Sequence, residues 1–335
     1  MGDIVEVKTE PLRLGVLGAA NISGKALYHP VSTNDRVDVV AIAARDRARA
    51  EAHAAQHGIA HVEDDYAAVL ARDDIDAVFN PLAISLHHPW TLAALEAGKH
   101  VLCEKPFASN ADQAVEMVAA ADRTGLVLVE AFHWRYHPLA ARIDELVDLI
   151  GGAELIEATF NAAIPESDEV RRSWELSGGA LMDLGCYPVQ WARFAAGREP
   201  IEVEARMCPD TAAGRELVDV ETHIDLDFGD GCTGSVHTRM DAGFEAWLTV
   251  TGPRGWLRVV NPLAPHMGHS VEHDLGDGPV FETVDGLTTY QHQMEAFVAA
   301  VCDGESPPTG GQDSIDTMRI IDRAYISAGL PPRGT

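Results

Sequence analysis

Basic residues are scarce in this chain. Against 52 aspartates and glutamates it sets 25 lysines and arginines, for a formal net charge of −27, and only four of the cations are lysine. Nucleic acid and anionic membrane are both recognised through clustered positive charge, so neither is an expected partner. Cysteine is thin as well: Cys103, Cys186, Cys208, Cys232 and Cys302 are odd in number, scattered, and include no C-x-x-C pair. That pattern fits reduced thiols better than a disulfide or zinc framework. The chain has no H-E-x-x-H; His53 and His57 share a helix face, and His266, His269 and His273 occupy a Pro/Gly-bearing stretch. No metal is expected from any of them. There is no apolar run of membrane-spanning length and no secretory leader is legible, so the expectation is a soluble cytoplasmic protein with a frayed, polar Met1–Glu10.

What is present is ordinary globular composition: 46% hydrophobic and 23% charged over 335 residues, a length that suggests two domains. The organising stretch is His100-Val-Leu-Cys-Glu-Lys-Pro-Phe107. Val101 and Leu102 end a buried strand, and Pro106, lacking an N–H, stops it. Glu104 and Lys105 then stand at the carboxyl end of a strand, where open α/β sheets bind ligands.

Upstream, the apolar Leu12–Leu17 runs into Gly18-Ala19-Ala20-Asn21-Ile22-Ser23. This reads as strand, glycine turn and helix start, the element that lets main-chain N–H groups approach a pyrophosphate. Its fingerprint is degraded, with Ala20 and Ser23 at the second and third glycine positions. The next strand, Val37–Ala43, ends in Ala44-Arg45-Asp46. Arginine there accepts a ribose 2′-phosphate, whereas an acidic group binds the 2′-hydroxyl. Arg45 favours NADP, and Asp46 leaves NAD open. The loop after the strand at Ala77–Phe79 holds Pro81, Leu82, Ser85 and His87 on the same edge as Glu104 and Lys105; either His87 or His88 could touch the nicotinamide ribose. Strands alternating with helices up to Val127–Val129 predict a parallel sheet.

After about residue 130 the rhythm changes. A segment dense in aromatics, Ala131 to Pro138, leads into a helix ending near Gly151. Strands follow at about 153–160, 201–208, 218–228, 232–239, 244–251 and 255–260, and with no helix separating the last four an antiparallel sheet is expected. One helix among them begins after Gly178-Gly179 and carries Asp183 and Tyr187, four apart and on one face. A carboxylate beside a phenol can orient it or relay its proton, and a nearby ammonium would favour the phenolate. Asp313–Ala328 is read as an amphipathic closing helix and Leu330–Arg333 as a tail.

On Ala94 to Pro106, which contains Glu104-Lys105-Pro106, and on Gly178 to Tyr187, which contains Asp183-x-Gly185-x-Tyr187, the chain resembles the Gfo/Idh/MocA family of NAD(P)-dependent oxidoreductases, from about Leu12 to Pro332. The resemblance implies an α/β fold: an N-terminal Rossmann parallel sheet in residues 1–130, then a C-terminal α+β domain with a large, open, mainly antiparallel sheet in 131–335, with the last helix free to pack back on the first. It implies that Gly18, Ala19, Ala20, Asn21, Ile22, Arg45, Pro81, Leu82, Ser85, His87, Glu104 and Lys105 bind the cofactor. Lys105 would polarise the reacting hydroxyl or carbonyl and Tyr187 would act as acid/base, with Asp183 in support. His133, Arg171 and Trp174 are candidates for the substrate pocket beside Asp183 and Tyr187. Tyrosine in the second motif is similar to the branch holding glucose–fructose oxidoreductase, xylose dehydrogenase and dihydrodiol dehydrogenases.

The implied activity is NADP-dependent hydride transfer at a secondary alcohol or carbonyl of a sugar, polyol or cyclic diol. The alternatives are a trans-dihydrodiol dehydrogenase acting on aromatic diols and a non-catalytic NAD(P)-binding sensor. A homodimer or homotetramer through the C-terminal sheet is expected. Ala20 in the turn, Ala83-Ile84 in place of Pro-Asn, and His133 in place of methionine depart from the family pattern.

Overall fold

A computed structural model describes residues 10–167 and 170–335, so the expectation for the polar N-terminus falls outside the described residues apart from Glu10. By internal contacts the chain divides into two units.

The first holds a six-stranded sheet of β1 (Leu12–Leu17), β2 (Val37–Ala43), β3 (His61–Val62), β4 (Ala77–Asn80), β5 (His100–Cys103) and β6 (Leu128–Glu130). All neighbours pair in parallel, in the order β3-β2-β1-β4-β5-β6. Its strands are short continuous apolar runs because helices cover both faces: Leu12, Val16, Val78, Phe79, Val101 and Leu102 are all fully buried. The order reverses between β1 and β4, and at such a switch point the carboxyl ends of the two strands splay to leave a crevice.

The second unit carries eight strands: β7 (Leu155–Asn161), β8 (Glu202–Pro209), β9 (Asp219–Gly229), β10 (Cys232–Arg239), β11 (Glu245–Gly252), β12 (Gly255–Val260), β13 (Ser270–Asp274) and β14 (Val280–Glu282). They run β14-β13-β12-β11-β7-β10-β9-β8. Every pair is antiparallel except β7 with β10. A parallel pair needs a long crossover, and the helix Cys186–Ala196 lies on that path. Along β9 the side chains alternate: Thr222, Ile224, Leu226 and Phe228 are buried, whereas Glu221, His223, Asp225 and Asp227 are not. One face is therefore a core face, against which Tyr187 and Trp191 pack with Phe160. The other is polar.

Four features lie beyond what the sequence led us to expect. The boundary is not a single cut at residue 130. The first unit also takes residues 290–314, and the second takes 108–111, 137–289 and 315–335. The helix Thr289–Asp303 joins the core of the first unit, where its Met294, Phe297, Val298 and Cys302 complete the cluster around Leu14, Val16 and Phe79. β13 lies in the histidine-bearing stretch and β14 follows it, where the sequence gave no strand signal. Finally, Arg333 is no tail residue: its side chain is fully buried.

Candidate functional site

The cofactor candidates gather at the carboxyl edge of the first sheet. β1 ends in Gly18, whose φ of 109° puts it where only glycine is unstrained. A Cβ there would stand 2.9 Å from the Leu82 side chain, so this glycine also permits the close approach of the loop after β4. The Gly18 N–H donates to Ala43 O at 2.7 Å, tying the turn to the end of β2. Ala19 is buried, Ala20 and Ile22 are half-buried, and Asn21 is exposed at the turn. The helix then opens with one wide π-helical turn, Gly24–Tyr28. Ser23, at the third glycine position, is fully buried and its Oγ has no partner. Arg49, which the sequence did not single out, donates to Ala19 O at 2.7 Å and braces the turn from the next helix.

At the end of β2 the three polar residues separate by task. Asp46 caps the helix Arg47–His57, accepting from the N–H groups of Ala48 and Arg49. Arg47 pairs with Glu51 and Asp64. Arg45 is exposed and forms no ion pair among the described residues.

Two further loops meet below. Asn80, fully buried at the end of β4, donates to His87 O and Thr91 Oγ1, both at 3.3 Å, and accepts from Leu82 N at 3.4 Å. Its amide shapes the Pro81–Ser85 segment, of which Pro81 is buried and Leu82 and Ser85 half-buried. His87 is buried with Nδ1 at 2.9 Å from Pro106 O and Nε2 at 3.0 Å from Leu82 O. Both ring nitrogens face main-chain carbonyls, so any effect of His87 on a cofactor passes through the loops it joins. Burial pushes its pKa down to about 4, with the Lys105 charge acting in the same direction. Glu104 N donates to Asn80 O at 3.0 Å, and Lys105 N to Glu104 Oε2 at 3.3 Å. Lys105 is half-buried, and its bond to Pro106 is cis.

His133 is buried in the first unit, with its ring 4.1 Å from that of Tyr290. Burial, and then the nearby Glu104 carboxylate, push the Tyr290 phenol above its ordinary value. Tyr290 stands at the start of the returning helix and carries no motif by which sequence could have found it. Also in this unit, the hydroxyls of Thr309 and Tyr136 are linked. The Thr309 hydroxyl donates to Glu130 O at 2.6 Å, so at 2.6 Å from Tyr136 Oη it is the acceptor.

In the second unit the Gly178-Gly179 pair is required by contact. A Cβ on Gly178 would stand 2.4 Å from Arg171 O, and one on Gly179 (φ 135°) 2.2 Å from Asp219 Oδ1. The next residues form a π-helical turn, Leu181–Gly185, before the α-helix proper; such turns recur at functional sites. Asp183 is largely buried, with Arg171 Nε 3.4 Å from its Oδ2. Tyr187 is 4% exposed, its ring edge-on to Phe160 at 5.7 Å. The turn is held by Asp219, whose carboxylate accepts from Leu181 N (2.7 Å), Thr222 Oγ1 (2.9 Å), Tyr325 Oη (2.9 Å) and Arg333 Nη2 (2.8 Å). The Arg333 guanidinium lies over the Trp174 ring at 4.2 Å and the Tyr325 ring at 4.3 Å. Arg171, Trp174, Asp183 and Tyr187 thus belong to one neighbourhood built on a buried Arg333–Asp219 ion pair.

A glycine turn at the switch point of a sheet ordered 3-2-1-4-5-6 defines the dinucleotide-binding α/β class. The chain belongs to the Gfo/Idh/MocA oxidoreductase family. Residues 12–132 match the family model described as "Oxidoreductase family, NAD-binding Rossmann fold", and residues 141–258 match the GFO/IDH/MocA C-terminal domain. The chain is 35% identical to D-xylose 1-dehydrogenase (NADP(+)) 2 of Haloferax volcanii, over 95% of its own length and 97% of the relative's. It is 34% identical to dTDP-3,4-didehydro-2,6-dideoxy-alpha-D-glucose 3-reductase of Streptomyces violaceoruber, over 94% and 93%. Among solved structures, the 3-ketoreductase KijD10 of Actinomadura kijaniata, in complex with NADP and TDP-benzene, superposes with a TM-score of 0.87 at 28% identity, covering 95% of this chain and 98% of that one.

Proposed function

We propose that the protein is an NADP-dependent oxidoreductase that moves a hydride to or from a secondary alcohol or carbonyl carbon of a sugar or sugar-like substrate. The observation that carries this reading is the position of Lys105. It stands at the carboxyl end of β5, on the same sheet edge as the glycine turn and joined to the loop after β4 through Asn80 and His87. Gly18, where a Cβ would clash, and the buried, unpartnered Ser23 Oγ fit a dinucleotide on this edge. Arg45 is the arginine left for a 2′-phosphate, since Asp46 is spent on a helix cap. The NADP-dependent xylose dehydrogenase and the ketosugar reductase among the relatives support both cofactor and substrate class.

When bound, the nicotinamide supplies the hydride acceptor or donor. In the oxidising direction Tyr187 accepts the substrate hydroxyl proton, and Asp183, with Arg171 beside it, fixes the orientation of that helix turn. Lys105 holds the developing oxyanion, a role worth roughly 3–4 kcal/mol in a water-poor site. His133 and Trp174 are the further candidates for substrate contact.

The test is a spectrophotometric screen of aldoses, polyols and ketosugars with NADP and NAD supplied separately. Turnover with a sugar and NADP is expected. Tyr187→Phe should lower it by about 10²–10⁴-fold, and Lys105→Met should abolish it while NADP still binds. Undiminished turnover in the Lys105→Met variant overturns the assignment.

A further inference from the structure

On the polar face of the second sheet, three side chains that the hydride-transfer reading does not use converge on one point. Glu221 and His223 are two apart on β9 and so project from the same face; His237 on β10 is the cross-strand partner of His223. The two imidazoles are stacked, with centroids 4.2 Å apart and planes 14° from parallel. Each presents Nε2 to the same carboxylate oxygen, Glu221 Oε1, at 3.1 Å. Their ligating atoms all lie within 4.8 Å of one another.

We propose that Glu221, His223 and His237 form a binding site for a divalent d-block cation of the zinc class. Two imidazole nitrogens and one carboxylate oxygen are a donor set this class prefers. Ligands about 2.1 Å from one ion are about 3.0 Å apart in octahedral and about 3.4 Å apart in tetrahedral geometry, and the observed 3.1 Å falls between them. With each ring proton on Nδ1, both Nε2 lone pairs are available to the ion.

The side chains are 45%, 21% and 27% exposed for His223, Glu221 and His237, which leaves the remaining coordination positions reachable from solvent. The charged and titratable neighbours are Arg239, 3.7 Å from Glu221 Oε2; Arg206, paired with Asp225; and Cys208, opposite Glu221 on β8. Because successive strand residues face opposite sides, this cluster lies on the far side of the sheet from the helix that carries Tyr187. It is distinct from the proposed hydride-transfer residues. The sequence alone offered no warning, since its only sign is Glu-x-His on one strand and a lone His on the next.

Untagged full-length protein, dialysed against chelator, should take up one equivalent of Zn²⁺ in a calorimetric titration near neutral pH. His223→Gln/His237→Gln should weaken that binding at least about 100-fold, and Glu221→Gln should weaken it less. Circular dichroism in chelator should be the same for all of them. Added Zn²⁺ should raise the melting temperature of the wild-type protein and not of the double variant. Affinity should fall on acidification from about pH 7 to about pH 5, because protons and the ion compete for the same ligand lone pairs. Wild-type protein that takes up no Zn²⁺, a double variant that binds as tightly as wild type, or an affinity indifferent to pH over this interval would each overturn the site.

Discussion

His87 faces two main-chain carbonyls, yet a neutral imidazole has one N–H to give. Protonation would supply the second donor, but complete burial opposes the charge more strongly and brings the pKa down to about 4. The ring is therefore neutral at working pH. The unfolded chain takes up this proton near pH 6.5 and the folded chain only near 4. Above pH 6.5 the residue costs nothing; as pH falls from there towards 4, stability drops by ~3 kcal/mol. Urea midpoints of the wild type should show this decline, and those of His87→Gln should decline less; equal slopes would refute the account.

Arg45 carries the other argument at this scale. A charge-assisted bond to a 2′-phosphate is worth about 1.5–3 kcal/mol. Arg45→Ser should accordingly raise KM for NADP by about 10-fold or more and leave KM for NAD unchanged, as initial-rate kinetics with the two dinucleotides will report. In sequence Arg45 favoured NADP while the adjacent Asp46 left NAD open; the helix cap gives Asp46 a separate task.

At the scale of elements, the two turns that begin the functional helices are built alike: glycine, then one π-helical turn, then α-helix. In the second the glycine answers to Asp219. Gly179→Ala would drive a Cβ against Asp219 Oδ1 and strain a backbone at φ 135°, so a loss of more than about 2 kcal/mol is expected from chemical denaturation. Turnover should fall as well, because Asp219 also holds Leu181 N in the turn that leads to Asp183 and Tyr187. Arg333→Met should cost ~3–5 kcal/mol, since it strands a fully buried carboxylate. Arg333 read as part of a tail because proline-rich chain ends usually are one. Its partners, Asp219, Trp174, Asn110 and the Gly178 carbonyl, are 114–223 residues away in sequence, and no local pattern announces them.

At the scale of the whole molecule, the first unit is discontinuous. All six of its strands lie before residue 131, yet its core includes Phe297, Val298 and Met294 from near the other end of the chain. A chain ending at residue 136 keeps the complete sheet but exposes that apolar surface. It should lose cooperative thermal unfolding by near-ultraviolet circular dichroism, and a sharp native-like melt would contradict this description. The net charge of −27 belongs to this scale too. It bears on solubility and on partners, and says little about the dinucleotide edge, where individual N–H groups and Arg45 decide.

The sequence by itself determined what is local. Apolar runs and glycines marked β1, β2, β10 and β12 at their observed bounds, because strand period and turn chemistry act over a few residues. The Glu-Lys-Pro and Asp-x-Gly-x-Tyr stretches marked the family. Only the tertiary structure decided which residues from distant segments meet: the returning helix with Tyr290, the Arg333–Asp219 pair, and the Glu221–His223–His237 cluster. The reason is physical: cross-strand register and core packing join residues through space, while short-range sequence patterns report only on neighbours along the chain.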